Sequence, residues 1–374
     1  GDKHWQVSTR AVYSSSDNDF KYRNYNKKMN IYDDDHQIVG TYYPTERNKC
    51  GAFRDFHILQ EVYYNTGRGD RFGLQAWFLD SKRGVPMLSV DHRSDDEYVN
   101  EQTEQTFRGI LSWDRLRGNY KVGLRAGYIH TGQGYDFSKD KGNGTMAEMI
   151  RSRSKINTLY GQAEGEYYIG KKWLFMANVS VHQHFVESRD KNVLELNSQS
   201  LAQGNNKKVV VGYDKGRVEV SAYASAKWMP TDRLGVSVAL REEMYGEEWS
   251  PVIPAFFADY VVSKRGSIVV KASVSRNYRF PTLNDLYFLP GGNPDLKKEQ
   301  GFTYDAGFSF AVGKEGIYSL NGSATWFDSY IDDWIVWLPT FKGFWTPKTV
   351  KEVHAYGVEL KADATVRLSK NWQL

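Results

Sequence analysis

Stretches in which apolar and polar side chains alternate run along most of this chain, and the segments joining them are alternately short and long. The short segments are tight turns rich in Gly, Lys, Asp and Asn, such as residues 116–119 and 170–172. The long segments are polar and hold roughly 10 to 40 residues. Transmembrane β-barrels have this layout, with short turns at one end of every strand pair and long loops at the other.

Residues 356–368 show the alternation most cleanly, with apolar residues at the even positions and Gly or polar residues at the odd ones. Successive side chains of a strand point to opposite faces, so this segment has one apolar and one polar face. Because the apolar residues recur every second position, a helix is a poor alternative. The stripes run about 9 to 13 residues, which is longer than the strands of an ordinary β-sandwich.

Composition argues against a helical membrane protein and against a nucleic-acid-binding protein. Mean hydropathy is −0.60 and no run of about 18 apolar residues occurs, which excludes membrane-spanning helices. Aromatic residues make up 15% of the chain, as expected where rings line two membrane interfaces. The 49 basic and 45 acidic residues are interspersed, so no basic patch suggests binding to nucleic acid.

The predicted fold is therefore all-β, a transmembrane antiparallel up-and-down barrel. About 14 strands are visible, beginning near residues 4, 51, 71, 103, 119, 155, 172, 217, 234, 251, 267, 302, 317 and 351. The loop-rich side should hold residues 16–50, 82–102, 132–154, 187–216, 245–250, 278–301 and 328–350. Since lipid does not tolerate an open sheet edge, either the barrel closes at about 14 strands or strands are missing. The sequence stops just after the turn 369–371, and we therefore expect missing strands.

One segment carries a family resemblance. Residues 275–288, SRNYRFPTLNDLYF, and 292–299, GNPDLKKE, resemble the signature "S-x-x-F-R-x-P-T-L-x-x-L-Y … G-N-P-x-L-K-P-E" of TonB-dependent outer-membrane receptors. Two positions depart from it: Phe280 stands where a small residue is usual, and Lys298 where Pro is usual. The matching positions are Arg279, Pro281, Leu283, Tyr287, Asn293, Pro294, Leu296 and Glu299.

The resemblance implies a barrel of about 22 strands that is filled by an N-terminal plug and contacts TonB through a segment before the plug. Neither plug nor contact segment is visible, so residues 1–374 are expected to be a barrel domain that lacks its plug and C-terminal strands. The implied location is the outer membrane of a Gram-negative cell. The implied partners are a small-molecule nutrient, TonB through the missing plug segment, and the lipid bilayer.

Several residues are candidates for ligand binding. Arg279 and Tyr287 of the signature either shape a loop or touch substrate. His182 and His184 lie on the polar face of one strand, where they either line the lumen or contribute to a metal or haem site. An aromatic-rich segment contains Trp334, Trp337 and Trp345 together with Tyr330, Phe341 and Phe344, and it forms either a loop cluster or a ligand contact.

The sequence predicts a non-enzymatic receptor for energised uptake of a scarce nutrient, such as an iron–siderophore complex or cobalamin. No catalytic constellation, zinc spacing or phosphate loop occurs, and we expect neither a catalytic residue, a bound metal nor a cofactor. A passive porin-like channel is the first alternative, but it should show lumen charges of one sign, whereas Glu164, Glu219 and Lys271 carry both. An outer-membrane hydrolase is the second, and it would need His182 or His184 for turnover.

Overall fold

The computed structural model describes residues 3–86, 97–140, 142, 144–192, 210–263, 267–288, 291–314, 317–340, 345–369 and 372–373. Twenty strands and one short helix are present in these residues. No helix among them is long and apolar enough to span a membrane. The architecture is thus almost entirely β, as the alternating stripes predict.

Fourteen strands in the described residues are 11 residues or longer, in agreement with the strand count expected from the sequence. These are β1 Trp5–Ser16, β6 Phe53–Asn65, β7 Asp70–Gly84, β8 Tyr98–Arg117, β9 Tyr120–Asp140, β10 Met146–Ile169, β11 Trp173–Asn192, β12 Val210–Trp228, β13 Leu234–Tyr245, β15 Ile253–Ser263, β16 Ile268–Arg279, β17 Glu299–Lys314, β18 Tyr318–Pro339 and β19 Trp345–Ser369. The short ones are β2 Lys21–Arg23, β3 Met29–Tyr32, β4 Ile38–Tyr42, β5 Thr45–Arg47, β14 Glu248–Trp249 and β20 Trp372–Gln373.

The long strands pair with their sequence neighbours, antiparallel throughout, in one sheet that runs from β1 to β20. This is the up-and-down topology. A sheet that crosses lipid satisfies its backbone groups only between strands, so this pairing is what allows a chain of low mean hydropathy to enter a bilayer.

The pairing register places apolar side chains of neighbouring strands opposite one another, and polar side chains likewise. Leu124 of β9 is opposite Ala163 of β10, and Ala163 is opposite Val179 of β11. One residue along, Arg125 is opposite Gln162, and Gln162 is opposite Ser180. The apolar row faces lipid and the polar row faces the lumen, as in other membrane barrels.

The two ends of the sheet differ as predicted. At one end β8 and β9 are joined by two residues, with Gly118 at φ 50°, and β10 and β11 are joined by a turn in which Gly170 has φ 58°. Glycine adopts this left-handed conformation without steric cost, which is why it marks these turns. The opposite end carries the long connections, so it is the extracellular end.

Strand boundaries at the extracellular end were predicted wrongly. β8 begins at Tyr98 and not near Thr103, β10 at Met146 and not near Lys155, β12 at Val210 and not near Arg217, and β19 at Trp345 and not near Lys351. Much of the predicted loops 132–154 and 328–350 is therefore strand. Above the membrane both faces of a hairpin meet water, so pairing continues without the apolar alternation that marks a strand in a sequence.

Two further elements of the loops have no counterpart in the sequence prediction. The connection 17–52 contains two small antiparallel sheets of two strands each: the hairpin of β3 with β4, and β2 paired with β5 on either side of it in the chain. The signature segment contains a one-turn helix, α1 Leu283–Tyr287. α1 follows β16 and precedes β17, so it lies at the extracellular end of the sheet.

The assignment of the two faces is testable with adjacent residues of β11. We expect Val179→Arg to destabilise the full-length protein in lipid vesicles by about 2–4 kcal/mol, because it places a charge on the lipid face near mid-membrane. Ser180→Arg, the matched control on the lumen face, should change stability far less. The measurement is urea-induced unfolding of both variants. Equal losses of stability in the two variants would contradict the assignment.

Candidate functional site

The signature segment begins where β16 ends. Pro281 lacks a backbone donor and so cannot continue the ladder beyond Arg279. Thr282 then caps α1: its hydroxyl accepts from the Asp285 backbone N–H at 3.1 Å, and the Asp285 carboxylate accepts from the Thr282 N–H at 2.9 Å. This reciprocal capping box fixes a helix too short to be stable by itself. The sequence Pro-Thr-Leu-Asn-Asp therefore encodes a sharp turn into one helical turn.

Two buried carboxylates hold this turn against the neighbouring hairpin. Asp285 accepts a hydrogen bond from the indole N–H of Trp337 at 2.9 Å, and Glu299 accepts one from the backbone N–H of Ile335 at 2.9 Å. Arg279 lies 3.0 Å from Glu299 and 3.9 Å from Asp285 and compensates their charge. A buried carboxylate is costly unless it is paired and hydrogen-bonded, and these two are.

The second half of the signature is tied to the same hairpin. The Asn293 side chain donates to the Pro347 carbonyl at 3.2 Å, and the Thr346 hydroxyl donates to the Gly291 carbonyl at 2.7 Å. A Cβ on Gly291 would lie 2.0 Å from the Trp345 carbonyl oxygen, so only glycine permits this approach. Together these contacts form the signature clasp, defined as Arg279, Asp285, Asn293, Glu299 and Trp337.

On its other side the signature segment covers the outer ends of β12 and β13 and encloses a cavity of about 280 Å³. We call this cavity the mouth pocket. Its lining includes signature residues Pro281, Leu283, Tyr287, Pro294 and Leu296, together with Lys215 and Arg217 of β12, Tyr245 of β13, and Glu248, Phe280 and Lys298.

Cations and aromatic rings alternate around the mouth pocket. Lys215 Nζ lies 4.7 Å from the centre of the Tyr287 ring, Arg217 Cζ lies 5.2 Å from that of Tyr245, and Lys298 Nζ lies 5.1 Å from that of Phe280. These are cation–π distances. The rings of Phe280 and Tyr245 are 4.3 Å apart. The pocket therefore offers flat apolar surfaces edged by positive charge.

The two departures from the family signature contribute to the same wall of this pocket. Phe280 is buried, and Lys298 lies over its ring and forms an ion pair with Glu248. Proline, which is usual at position 298, could make neither contact, and a small residue at position 280 would leave the Tyr245 ring without its neighbour. The two unusual residues are thus spatial partners.

His182 and His184 lie on the lumen face of β11, opposite Glu219 and Arg217 of β12 and below the mouth pocket. Their rings stack 5.9 Å apart, and His182 also stacks on Tyr160 at 5.7 Å. His184 Nδ1 is 2.9 Å from the Thr158 hydroxyl, and its Nε2 is 3.5 Å from Glu219. Parallel stacked rings do not converge on a common point, and among the described residues no group of three or more His, Cys, Asp or Glu side chains is arranged to hold a metal.

Arg217 connects the histidines to the signature segment. It donates to the Glu219 carboxylate at 2.8 Å through Nε and to the Pro281 carbonyl at 3.0 Å through Nη1. Glu219 in turn lies beside His184. A continuous polar chain therefore runs from the lumen wall of β10 and β11 to the first residues of the signature loop.

The three tryptophans proposed from the sequence are not gathered into one site. Trp337 is committed to the clasp, Trp345 is 57% exposed, and Trp334 lies further down β18, half-buried. Phe341 and Phe344 of the predicted aromatic cluster lie outside the described residues. The structure instead brings Tyr287 together with Lys215, Arg217, Tyr245, Phe280 and Lys298, which the sequence prediction did not select as binding residues.

The lumen wall below the mouth pocket carries charge of both signs in contact. Arg125 lies 2.7 Å from Glu164 and 3.2 Å from Asp114, and Lys121 lies 3.2 Å from Glu166. Such pairs line a wet lumen without giving it one sign. This arrangement agrees with the mixed charges anticipated from the sequence.

Comparisons with protein families and with individual proteins agree on one family. The family model of the TonB-dependent receptor-like β-barrel matches residues 2–374. The vitamin B12 transporter BtuB of Photobacterium profundum is 36% identical over 98 residues, which are 25% of this chain and 15% of that protein. BtuB of Vibrio vulnificus is 33% identical over 92 residues, which are 24% of this chain and 14% of that protein.

Solved structures agree in fold. The copper transporter OprC matches 100% of this chain and 57% of its own, with a TM-score of 0.71 and 12% identity. The ferric yersiniabactin uptake receptor FyuA from Yersinia pestis matches 100% of this chain and 55% of its own, with a TM-score of 0.64 and 13% identity. The chain thus spans little more than half the length of these structures, and at such identities the likeness shows the fold alone.

The family model covers nearly every residue, the sheet has the paired, two-faced strands of a membrane barrel, and the signature segment is folded at its extracellular end. The chain belongs to the TonB-dependent receptors of the Gram-negative outer membrane and matches the β-barrel of that family.

Proposed function

We propose that this chain is the barrel wall of a receptor that imports a scarce nutrient, such as an iron–siderophore complex or cobalamin, with energy supplied through TonB. The observation that carries the proposal is the mouth pocket, in which the family signature packs against lumen cations and aromatic rings at the extracellular end. No reaction is catalysed: the ligand is captured at the mouth, and rearrangement of a plug then opens its path.

The complete protein is proposed to contain more than residues 1–374. A plug domain and further strands would fill and close the barrel, because an open sheet edge in lipid leaves backbone groups unpaired. The mixed ion pairs of the lumen wall suit a surface that holds a plug in place. The relatives are named as transporters of vitamin B12 and copper and as an uptake receptor for ferric yersiniabactin, which supports transport as the activity.

The mouth pocket favours a siderophore complex over cobalamin. Three cations border it: Arg217 is paired with Glu219, Lys298 is paired with Glu248, and Lys215 lies over the Tyr287 ring with no ion pair among the described residues. Aromatic faces beside cations bind a planar, electron-rich group that carries negative charge. A volume of about 280 Å³ accommodates one arm of such a ligand and not the whole of it.

The signature clasp is proposed to hold the mouth pocket in shape and not to touch the ligand. Two clasp residues, Arg279 and Trp337, are also ligand candidates from the sequence. The guanidinium of Arg279 is paired with Glu299, and the indole N–H of Trp337 is bonded to Asp285. Tyr287, by contrast, lines the pocket, and we propose that it contacts the ligand. His182 and His184 are proposed to line the route below.

The pocket is tested by Phe280→Ala with Lys298→Ala. We expect this double variant of the full-length receptor to bind its ligand about tenfold more weakly, since a ring and a charge are lost from one wall. Tyr223→Ala is the control, an aromatic on the lumen face of β12 outside the pocket. The measurement is calorimetry with a panel of ferric siderophores and cyanocobalamin. Unchanged affinity in the double variant would remove the pocket from the ligand path.

Energised transport is tested by uptake of the same labelled ligands into cells. We expect uptake through the full-length receptor to fall to background in a strain lacking TonB. Planar-bilayer recordings should show no steady large conductance. A passive channel would show uptake that persists without TonB and a steady large conductance in the bilayer, and these results would contradict the proposal.

The clasp is tested by a double-mutant cycle of Asp285→Asn and Trp337→Phe. Because the two side chains share one buried hydrogen bond, we expect a coupling energy of about 1–2 kcal/mol and faster proteolysis of the loop in either variant. Asp295→Asn, an exposed change in the same loop, is the control. Additive effects of the two substitutions would show that the bond does not hold the loop.

A further inference from the structure

A polar groove lies on the outward, lipid-side face of the sheet, whereas the mouth pocket lies on the lumen face. Its cavity of about 420 Å³ crosses five strands, β6 to β10, and its lining includes Arg54, Lys82, Thr103, Gln105, Gly132, Gly134, Arg153, Lys155 and Asp80. We call it the outer groove. These residues share the parity of the lipid-facing side chains of their strands.

The register stacks the outer groove directly above the lipid-facing band. Arg54, Lys82, Thr103, Gly134 and Arg153 are successive partners across the five strands and form one row. The next row down the same face is Phe56, Asp80, Gln105, Gly132 and Lys155. Below it come Ile58, Phe78, Phe107, His130 and Asn157.

The third row marks the upper limit of the apolar band. Phe78 is 36% exposed and Phe107 is 42% exposed on the outward face, and Leu111, further down, is 61% exposed. Aromatic side chains concentrate where a barrel leaves the hydrocarbon, at the level of the lipid head groups. The outer groove is therefore placed at the head groups of the outer leaflet.

The charge of the outer groove is concentrated at its two flanks. Lys82 is neutralised by Glu101 at 2.8 Å, and Arg153 by Asp136 at 2.9 Å. Asp80 accepts from the Gln105 amide at 2.8 Å. Among the described residues this leaves Arg54 on β6 and Lys155 on β10 as the lining cations with no carboxylate within ion-pair distance. Glu187 of β11 is opposite Lys155 in the register, but it forms its ion pair with Arg189, at 3.3 Å.

The spacing of these two cations sets the kind of ligand. Four strand-to-strand steps separate β6 from β10, so their backbones are roughly 19 Å apart, and both long side chains can reach inward from the flanks. The surface between the two cations is formed by small and polar residues. A Cβ at Gly132 would meet nothing nearer than 4.0 Å, and Thr103 and Gln105 supply hydrogen-bonding groups beside it.

We propose that the outer groove binds the head group of an outer-leaflet lipid in which a sugar unit carries two separated phosphates. The phosphates pair with Arg54 and Lys155, the sugar lies over Gly132 and Gly134, and the acyl chains descend over Phe78 and Phe107. A phosphate is bound by arginine and lysine through charge-assisted hydrogen bonds, which are stronger than neutral ones. The head group's position is fixed because the apolar rows below it hold its chains.

The test uses the full-length receptor in detergent and native mass spectrometry with three probes: a bis-phosphorylated lipid A, its monophosphorylated form, and phosphatidylethanolamine. We expect the wild type to retain the bis-phosphorylated lipid about tenfold better than the monophosphorylated one, because one charge-assisted contact is lost. Arg54→Gln with Lys155→Gln should abolish this difference. Arg54→Lys with Lys155→Arg, which keeps both charges and controls for folding, should restore it.

Lys271→Gln with Lys361→Gln is the matched control, since it removes two positive charges from the lumen face. It should leave the lipid preference unchanged. Two results would overturn the proposal: equal retention of all three lipids by the wild type, or the same loss of preference in the lumen control. Competition by inorganic phosphate at the concentration of the lipid would also overturn it, because the groove would then be a site for a free anion.

Discussion

The structure depends on one constraint: in a bilayer, each backbone N–H and C=O must find its partner within the protein. Antiparallel pairing of sequence neighbours satisfies it along fourteen long strands in the described residues. Once the ladder is fixed, the two-residue period of a strand decides the rest, since every side chain must face either lipid or lumen. A charged residue such as Arg125 and an apolar one such as Leu124 can then be neighbours at no cost to either.

The same ladder positions the candidate site. Strands that continue above the membrane carry the signature segment to the level of the outer ends of β12 and β13. There the buried carboxylates of Asp285 and Glu299 fix the segment on one side, and on the other side Arg217 reaches the Pro281 carbonyl. The mouth pocket exists because these two attachments hold the loop over the lumen wall.

The outward and inward faces of one sheet thus carry separate chemistry. The lumen face offers paired charges and the aromatic–cation pocket at its mouth, and the lipid face offers aromatic rows and, above them, the outer groove. Phe280 and Lys298 show how much a loop contributes. As isolated departures from a signature they look neutral, yet in the fold they contact each other and form a wall of the pocket.

The sequence by itself determined the membrane-barrel class, the fourteen long strands of the described residues, the assignment of faces and the family, because each rests on a short-range period or a contiguous motif. It placed His182 and His184 on the polar face for the same reason. Only the tertiary structure decided the length of the extracellular hairpins, the helix after Pro281 and the meeting of Tyr287 with Lys215. Pairing in water needs no apolar alternation, and contacts between residues some 70 positions apart leave no local pattern to detect.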